Sequence, residues 1–262
     1  MAAAADYAHC EEIIRRNDND RWLASLFIPH DRRRHIHALY AFSFEVARIQ
    51  EAVSQPLPGE IRLQWWRGAV EEENAQDAKA NPVSAALLDT AARFELPKSL
   101  LLDLIDARTR DLYADRIESL RGLESYTQAT CSNLFQLATK ILAGEEADKE
   151  AADPRHAGIA YGITGLMRAL PWQKPRGAPF VPAEILAKHG VALADLSEGR
   201  SSPALAAALG ELRALARRHL DIFRARLPGL PAMSKPAYLP LSLCEAYLQR
   251  MERRGHDPLS TI

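Results

Sequence analysis

The stretch that decides the fold is residues 40–51, which read Tyr-Ala-Phe-Ser-Phe-Glu-Val-Ala-Arg-Ile-Gln-Glu. It lies within a longer segment, residues 31–54, where apolar side chains such as Leu39, Val46 and Ile49 recur at steps of three or four. That spacing is typical of an amphipathic α-helix with one buried face. The sequence therefore predicts a long helix over this segment, ended by the two prolines that follow it.

Helical periodicity also dominates the rest of the chain, and there is no convincing alternating strand pattern. The further helices are predicted at residues 60–74, from Asn81, from Pro97, at 123–142, from Pro154 to Pro171, at 203–227 and at 236–253. Residues 171–182 contain four prolines and are predicted to form a loop. The sequence thus predicts an all-α fold, a single domain over residues 1–262 with eight or more helices.

Composition is that of an ordinary globular protein. The 262 residues are 47% hydrophobic and 26% charged, and the formal net charge is −1. A chain so close to neutral has no global field that would draw it to nucleic acid, so no nucleic-acid partner is expected. Two arginine runs, at residues 32–34 and 217–218, are predicted to be solvated helix faces rather than binding patches.

The cysteines and the first residues favour a cytoplasmic protein. Cys10, Cys131 and Cys244 are odd in number and far apart, which indicates free thiols rather than a disulfide framework. Residues 1–6 show no basic region followed by a long apolar run, so neither a secretory signal nor a transit peptide is expected. No segment reaches the ~20 apolar residues needed to span a bilayer, and we expect no transmembrane segment.

The general catalytic motifs are absent. The sequence contains no Gly-x-Gly-x-x-Gly, no phosphate-binding loop, no His-Glu-x-x-His and no Gly-x-Ser-x-Gly. His35 and His37 lie two residues apart, so a helix directs them to different sides; they are predicted to be surface or partly buried histidines. Gly158, Gly162 and Gly165 recur at helical spacing, which predicts close helix packing, with approach of a ligand to the backbone as the alternative.

Several ordered motifs together resemble the squalene/phytoene synthase family. Besides residues 40–51, they are Phe-Ile-Pro-His-Asp-Arg-Arg at 27–33, Leu-Gln-Trp-Trp-Arg at 63–67, Arg-Asp-Leu-Tyr at 110–113, and the segment 176–191 that begins Arg-Gly-Ala-Pro-Phe-Val-Pro. The resemblance covers about residues 20–253. It implies a helical bundle of the isoprenoid (trans-prenyl) synthase type with a central cavity.

The first metal-binding motif of that family is degenerate in this chain. In the family, Asp-Asp-x-x-Asp follows Tyr-Ala-Phe and holds Mg²⁺ against a prenyl diphosphate. The three positions here are Ala47, Arg48 and Glu51, so one carboxylate remains. Mg²⁺ requires several oxygen ligands in near-octahedral geometry, and a guanidinium at the old metal position repels a cation while attracting phosphate or carboxylate.

The second motif of the family, Gln-x-x-Asn-x-x-Arg-Asp-x-x-x-Asp, has lost all its carboxylates. Its last three defined positions read Arg168, Ala169 and Gln173 here, and only the arginine is retained. Pro171 lies inside the motif and should break the helix that carries it. The two motifs are therefore degenerate together, which predicts that no residue is catalytic and that no metal or other cofactor is bound.

The resemblance then implies a pseudoenzyme that acts by binding. Arg48, Arg168 and Arg176 are candidates for an anion or ligand pocket. Within the family, the sequence is similar to a branch that includes a mitochondrial assembly factor for respiratory complex I and its bacterial relatives. That similarity implies a bacterial chain with a protein partner in respiratory complex assembly, or with an isoprenoid or lipid ligand, and peripheral contact with the inner membrane.

Two alternatives stay open on the sequence. The chain could be an active Mg²⁺-dependent prenyltransferase that condenses prenyl diphosphates, with a rebuilt metal site made of Glu51, Asp111 and Asp115. The two aspartates would share one face of a predicted helix, although ordinary exposed acids are the favoured interpretation. The chain could also be an isoprenoid or lipid carrier that keeps the apolar cavity, unless side chains such as Phe44 and Met167 fill it.

Overall fold

The structure is a computed structural model that describes residues 2–73, 75–113, 115–144, 153–173 and 180–260. These residues form α-helices joined by short turns, and no β-strand occurs among them. None of the helices in this part of the chain is long and apolar enough to cross a membrane. The prediction of an all-α fold in one helical domain is confirmed.

Seven α-helices are described in the first half of the chain. They are α1 (Ala4–Asn17), α2 (Asn19–Ser25), α3 (His30–Ala47), α4 (Pro56–Glu71), α5 (Ala75–Ala80), α6 (Pro82–Arg93) and α7 (Lys98–Tyr113). Side-chain caps define two of their starts, because Asp18 accepts a hydrogen bond from the backbone of Arg21 and Asn81 accepts one from Ser84. The predicted start at Asn81 is thereby confirmed.

Eight further α-helices follow. They are α8 (Leu120–Thr127), α9 (Asn133–Ala143), α10 (Pro154–Arg168), α11 (Leu170–Gln173), α12 (Ala183–Lys188), α13 (Leu193–Glu198), α14 (Pro203–Arg226) and α15 (Cys244–Met251). A π turn, Gln128–Ser132, joins α8 to α9, and a 3₁₀ segment, Lys235–Leu243, leads into α15. Proline occupies the first turn of α10 and of α14, where no intrahelical N–H bond is lost.

Several boundaries differ from the predicted ones. Helix α3 ends at Ala47 rather than near residue 54, because the backbone tightens into a 3₁₀ turn at Ile49–Glu51. Helix α4 begins at Pro56, since a first helical turn accommodates proline. Helices α1 and α2 were not predicted, and the short α11 occupies the start of the segment predicted to be a loop.

Helix α10 lies between the two hydrophobic clusters of the core. Its Ala157 and Ala160 belong to the cluster built largely by α1, α3, α6 and α9, whereas its Ile159 and Ile163 belong to the cluster that includes α14. A helix that is apolar on both sides is buried, and this one must fit closely to its neighbours. Helix α10 is therefore the central element of the bundle.

Glycine lets α10 approach the π turn. A Cβ atom on Gly158 would lie 2.2 Å from the backbone nitrogen of Ser132, and one on Gly162 would lie 2.7 Å from the Thr127 side chain. The predicted role in helix packing is confirmed at these two positions. Gly165 differs, because a Cβ there would meet nothing within 4 Å.

Candidate functional site

The first motif lies at the exposed end of α3. Ala47 is the last residue of the helix, and Glu51 is exposed at the end of the 3₁₀ turn. The half-exposed guanidinium of Arg48 lies 3.8 Å from the Glu45 carboxylate and 5.4 Å from the ring centroid of Phe44. Arg48 thus pairs with the acid one turn before it.

The second motif lies at the end of α10 and is tied to the N-terminal region. Arg168 donates a hydrogen bond to Asp20 at 3.3 Å, and its guanidinium lies 3.7 Å from the ring centroid of Tyr247. The Tyr247 hydroxyl donates to the same Asp20 oxygen at 2.7 Å. Helix α10 ends at Arg168, before Pro171, as the proline predicted. The retained arginine is therefore held by a carboxylate of this chain.

The anion pocket of Arg48, Arg168 and Arg176 stays a prediction. Arg48 and Arg168 share no ionic or ring partner in the described ranges: Arg48 binds Glu45 and Arg168 binds Asp20. Arg176 lies outside the described residues. Ala169 caps α10, and Gln173 lies in α11 with a buried side-chain oxygen that has no hydrogen-bond partner.

The space between the two motif helices holds Arg21, which the sequence did not single out. Its guanidinium lies 5.2 Å from the ring centroid of Tyr40 on α3 and 5.1 Å from that of Tyr161 on α10. It also donates to Asp18 at 3.1 Å. Burial raises the pKa of Tyr40 to about 12, so the guanidinium faces a neutral ring at pH 7. Arg21 thus lies between side chains of the two motif helices.

A second buried network was also missed. Arg108 donates to Asp111 at 3.1 Å and to the Tyr126 hydroxyl at 2.7 Å, and that hydroxyl donates to Asp111 at 2.9 Å. Burial raises the pKa of Asp111, and the charge of Arg108 and the hydrogen bonds oppose that rise. Arg108 precedes Asp111 by three residues, and Asp18 precedes Arg21 by three, so helical ion-pair spacing was the available signal.

The residues present do not fit a Mg²⁺ site. Asp111 is buried against Arg108, whereas Asp115 is exposed beyond the end of α7 and Glu51 is exposed after α3. Within the described ranges, no group of three or more His, Cys, Asp or Glu side chains is arranged to hold a metal ion. The structure therefore does not bring the alternative ligand set together, and Asp111 is not the exposed acid that the sequence favoured.

Two of the pockets found in the described residues adjoin the motifs, and the one at Arg48, lined also by Ile49 and Trp66, has a volume of about 370 Å³. The pocket beside Met167, lined also by Ile163 and Phe180, has a volume of about 10 Å³, which holds at most one water molecule. A larger cleft of about 580 Å³ lies between α9 and the start of α10, and its lining includes Gln136, Lys140 and Arg155. Its lining combines these polar side chains with apolar ones such as Leu100 and Leu137.

The fold and the two motif helices define a protein of the isoprenoid-synthase type. A dehydrosqualene synthase structure superimposes with a TM-score of 0.81 at 19% identity, covering 94% of this chain and 85% of that one. Squalene synthase HpnC from Alicyclobacillus acidocaldarius gives 0.80 at 21% identity, covering 97% of this chain and 95% of that one.

The squalene/phytoene synthase family model matches residues 14–261, so the chain belongs to that family. Among its relatives, the protein from Rattus norvegicus called NADH dehydrogenase (ubiquinone) complex I, assembly factor 6, is 31% identical over 251 residues. The matched region covers 96% of this chain and 75% of that protein.

Proposed function

We propose that this chain is a non-catalytic member of the squalene/phytoene synthase family that acts by binding, in the assembly of respiratory complex I. The observation that carries the proposal is the position of Arg21 between α3 and α10, at Tyr40 and Tyr161. A cation buried there, with its charge met by Asp18, places an ion pair between the two motif helices.

The charges at the two motifs support the same proposal. Ionisation of a prenyl diphosphate builds negative charge on the leaving group, and bound Mg²⁺ neutralises that charge. At the motif positions, Glu51 is the only carboxylate. Arg168 is already neutralised by Asp20, whose negative charge would in turn repel a diphosphate. The proposal therefore includes no metal cofactor.

The relatives indicate the cellular process in which we propose that the chain acts. The rat protein named as an assembly factor for complex I covers nearly all of this chain at 31% identity, whereas the two synthase structures share the fold at 19% and 21% identity. We infer that the partner of this chain is a protein encountered while complex I is being built.

The test is deletion of the gene in the native organism, followed by complementation. Assembled complex I, measured on native gels and as NADH oxidation by membranes, should fall in the deletion strain and recover with the wild-type chain. A Glu51→Gln chain should restore it equally, because no metal ligand is needed. Loss of rescue by Glu51→Gln at normal protein level, or unchanged complex I in the deletion strain, would contradict the proposal.

The enzymatic alternative has its own test. Purified protein incubated with farnesyl diphosphate and Mg²⁺ should release no pyrophosphate, while a squalene synthase run in parallel does. Release that depends on Mg²⁺ would establish a prenyltransferase. Native mass spectrometry of the purified chain tests the carrier alternative, and a retained isoprenoid would establish it.

A further inference from the structure

A groove with apolar walls lies between α4 and α7 on the surface of the bundle. Its volume is about 490 Å³, and its lining includes no residue of either degenerate motif. Among the side chains that line it, Leu63 and Ile105 are buried, whereas Leu57 is 64% exposed and Ile61 63% exposed. Leu57 and Ile61 are four residues apart in one helix, so they lie on the same face of α4.

Close packing of α4 on α7 fixes the shape of this groove. A Cβ atom on Gly59 would lie 2.4 Å from a methyl carbon of Leu112, so the glycine lets the two helices approach. Arg67 of α4 donates to Asp106 of α7 at 2.6 Å, which ties the two sides together. The groove is therefore formed by contacts within the chain.

Exposed apolar side chains cluster at the groove. Tyr113, the last residue of α7, is 49% exposed, and its hydroxyl donates to Glu60, which lines the groove. Together with Leu57 and Ile61 it makes three of the nine large apolar side chains that are exposed in the described ranges. Exposed apolar groups that cluster in this way mark an interaction surface, whereas single ones need no explanation.

The rim of the groove is acidic. Arg67 is the only cation among the described residues that line it, and it is paired with Asp106 at 2.6 Å and with Glu71 at 3.3 Å. Glu60 lines the groove as well, and the neighbouring cation of α4, Arg62, lines the pocket beside the first motif instead. Three carboxylates thus accompany one guanidinium, which leaves an excess of negative charge.

We propose that the groove between α4 and α7 docks a basic amphipathic helix of a partner protein. Apolar side chains of that helix, at steps of three or four, would lie against Leu57 and Ile61, and its lysines or arginines would face the acidic rim. Helices α4 and α7 have 16 residues each. Each is roughly 24 Å long, which gives room for about four turns of a docked helix. The inference rests on the proposed function, because it names the surface and the chemistry of the partner which that function requires.

The acidic rim disfavours two other occupants. A symmetric dimer built on this groove would bring the rims of two copies together, so that the carboxylates of Glu60 and Asp106 would face like charges. The anionic headgroups of a lipid bilayer would be repelled in the same way. A basic segment of a different protein meets neither penalty.

The experiment is site-specific photocross-linking in the native organism, with the full chain carrying benzoylphenylalanine in place of Ile61. The matched control carries it in place of Leu193, which is 54% exposed on α13. Position 61 should form an adduct with a peptide of another protein that has net positive charge and apolar residues at helical spacing, as identified by mass spectrometry. Position 193 should not form that adduct.

Charge reversal at the rim tests the complementarity. Glu60→Lys, combined with the photoreactive residue at position 61, should lower the yield of the adduct roughly tenfold, because an attractive charge becomes repulsive. Four results would overturn the proposal: no adduct at position 61, the same adduct at position 193, an unchanged yield in Glu60→Lys, or a peptide that is acidic or comes from this chain. A peptide from this chain would assign the groove to a second copy.

Complementation of the deletion strain separates this inference from the proposed function. The double variant Leu57→Ser, Ile61→Ser should lose the ability to restore complex I, whereas Leu193→Ser should keep it, with both proteins folded by circular dichroism and present at the wild-type level. Full restoration by the double variant would overturn the docking site and leave the proposed function standing. Unchanged complex I in the deletion strain would contradict the proposed function, and the adduct at position 61 then decides the docking site alone.

Discussion

Two arginine side chains, Arg21 and Arg108, lie almost entirely inside the bundle, with 13% and 17% of their surfaces exposed. Each has one carboxylate partner and at least one tyrosine beside it. A buried ion pair is not by itself a source of stability, because desolvation offsets the attraction, but removing one partner leaves an unpaired charge. At the scale of single residues, the buried charges are thus paired with one another inside the chain.

Arg108→Gln should destabilise the protein by about 3 kcal/mol at pH 7, because Asp111 would lose its cation in a buried site. Without that cation the pKa of Asp111 rises further, so the folded state binds a proton more readily than the unfolded state. The decrease in the free energy of unfolding caused by Arg108→Gln should therefore be smaller at pH 5 than at pH 7. Urea denaturation at the two pH values measures it. Arg48→Gln, at a half-exposed pair, is the control and should have a much smaller effect.

His35 and His37 are buried, contrary to the prediction of surface or partly buried side chains. His35 bonds Thr90 at 2.8 Å and His37 bonds Ser25 at 2.8 Å. Burial lowers the pKa of each to about 4, and nearby arginines add to the effect at His35. The unfolded chain, with histidine pKa values near ~6.5, then binds more protons than the folded chain between these pH values.

The free energy of unfolding should accordingly be highest above pH 6.5 and fall as pH decreases towards 4, by up to about 1.4 kcal/mol per pH unit for each histidine. His37→Gln should flatten the dependence between pH 6.5 and 5, because one titrating group is removed. Denaturant unfolding at a series of pH values gives the slope of the unfolding free energy against pH for the wild-type chain and for His37→Gln. Identical slopes would show that His37 does not titrate in this range.

At the scale of elements, the contact between α10 and the π turn determines the packing of the bundle. A π turn places one extra residue in a helical stretch and is rare in proteins. Here Gly158 supplies the space, and the Ser132 hydroxyl donates to the carbonyl of Arg155 at 3.0 Å. The close approach brings Tyr161 near enough to stack on Arg21.

Gly158→Ala should destabilise the protein by about 3 kcal/mol or more, because the new methyl group would meet backbone atoms that cannot move independently. Gly165→Ala, on the same helix, meets nothing and should be neutral or stabilising by up to about 1 kcal/mol. Thermal and urea unfolding of both variants test this. Equal changes in stability for the two variants would show that the π turn moves to accommodate the new methyl group on α10.

At the scale of the whole molecule, the two motif helices face a shared interior from different parts of the chain. Helix α3 ends at Ala47, just before Arg48, and α10 ends in Arg168, which is bound to Asp20 of α2. Side chains of α2 therefore lie near both motif helices. A substitution at one motif alone would leave them there.

Ala47→Asp combined with Arg48→Asp should not release pyrophosphate from farnesyl diphosphate in the presence of Mg²⁺. The second motif would still lack carboxylates, and Arg21 would still lie between the helices. A pyrophosphate assay on the purified double variant is the measurement. Turnover above that of the wild-type chain would show that one rebuilt motif is sufficient.

Local pattern was enough to predict much of the fold. Apolar periodicity predicted α3, α7 and α14, and side-chain caps and prolines located several starts. The boundaries at Ala47 and at the π turn could not be predicted, because they depend on packing against neighbouring helices rather than on local propensity. The degeneracy of the two motifs, which rests on the residue types in the sequence, stays a prediction.

The sequence by itself determined that residues 40–51 form part of a helix, that the chain is all-α, and which residue types stand at the degenerate motifs. Only the tertiary structure decided what fills the space between those motifs. Arg21 and Asp20 precede α3 by several residues, and nothing in their local pattern says that they contact α10, more than 130 residues away. Burial and charge pairing depend on neighbours distant in the chain, so they are decided when the helices pack.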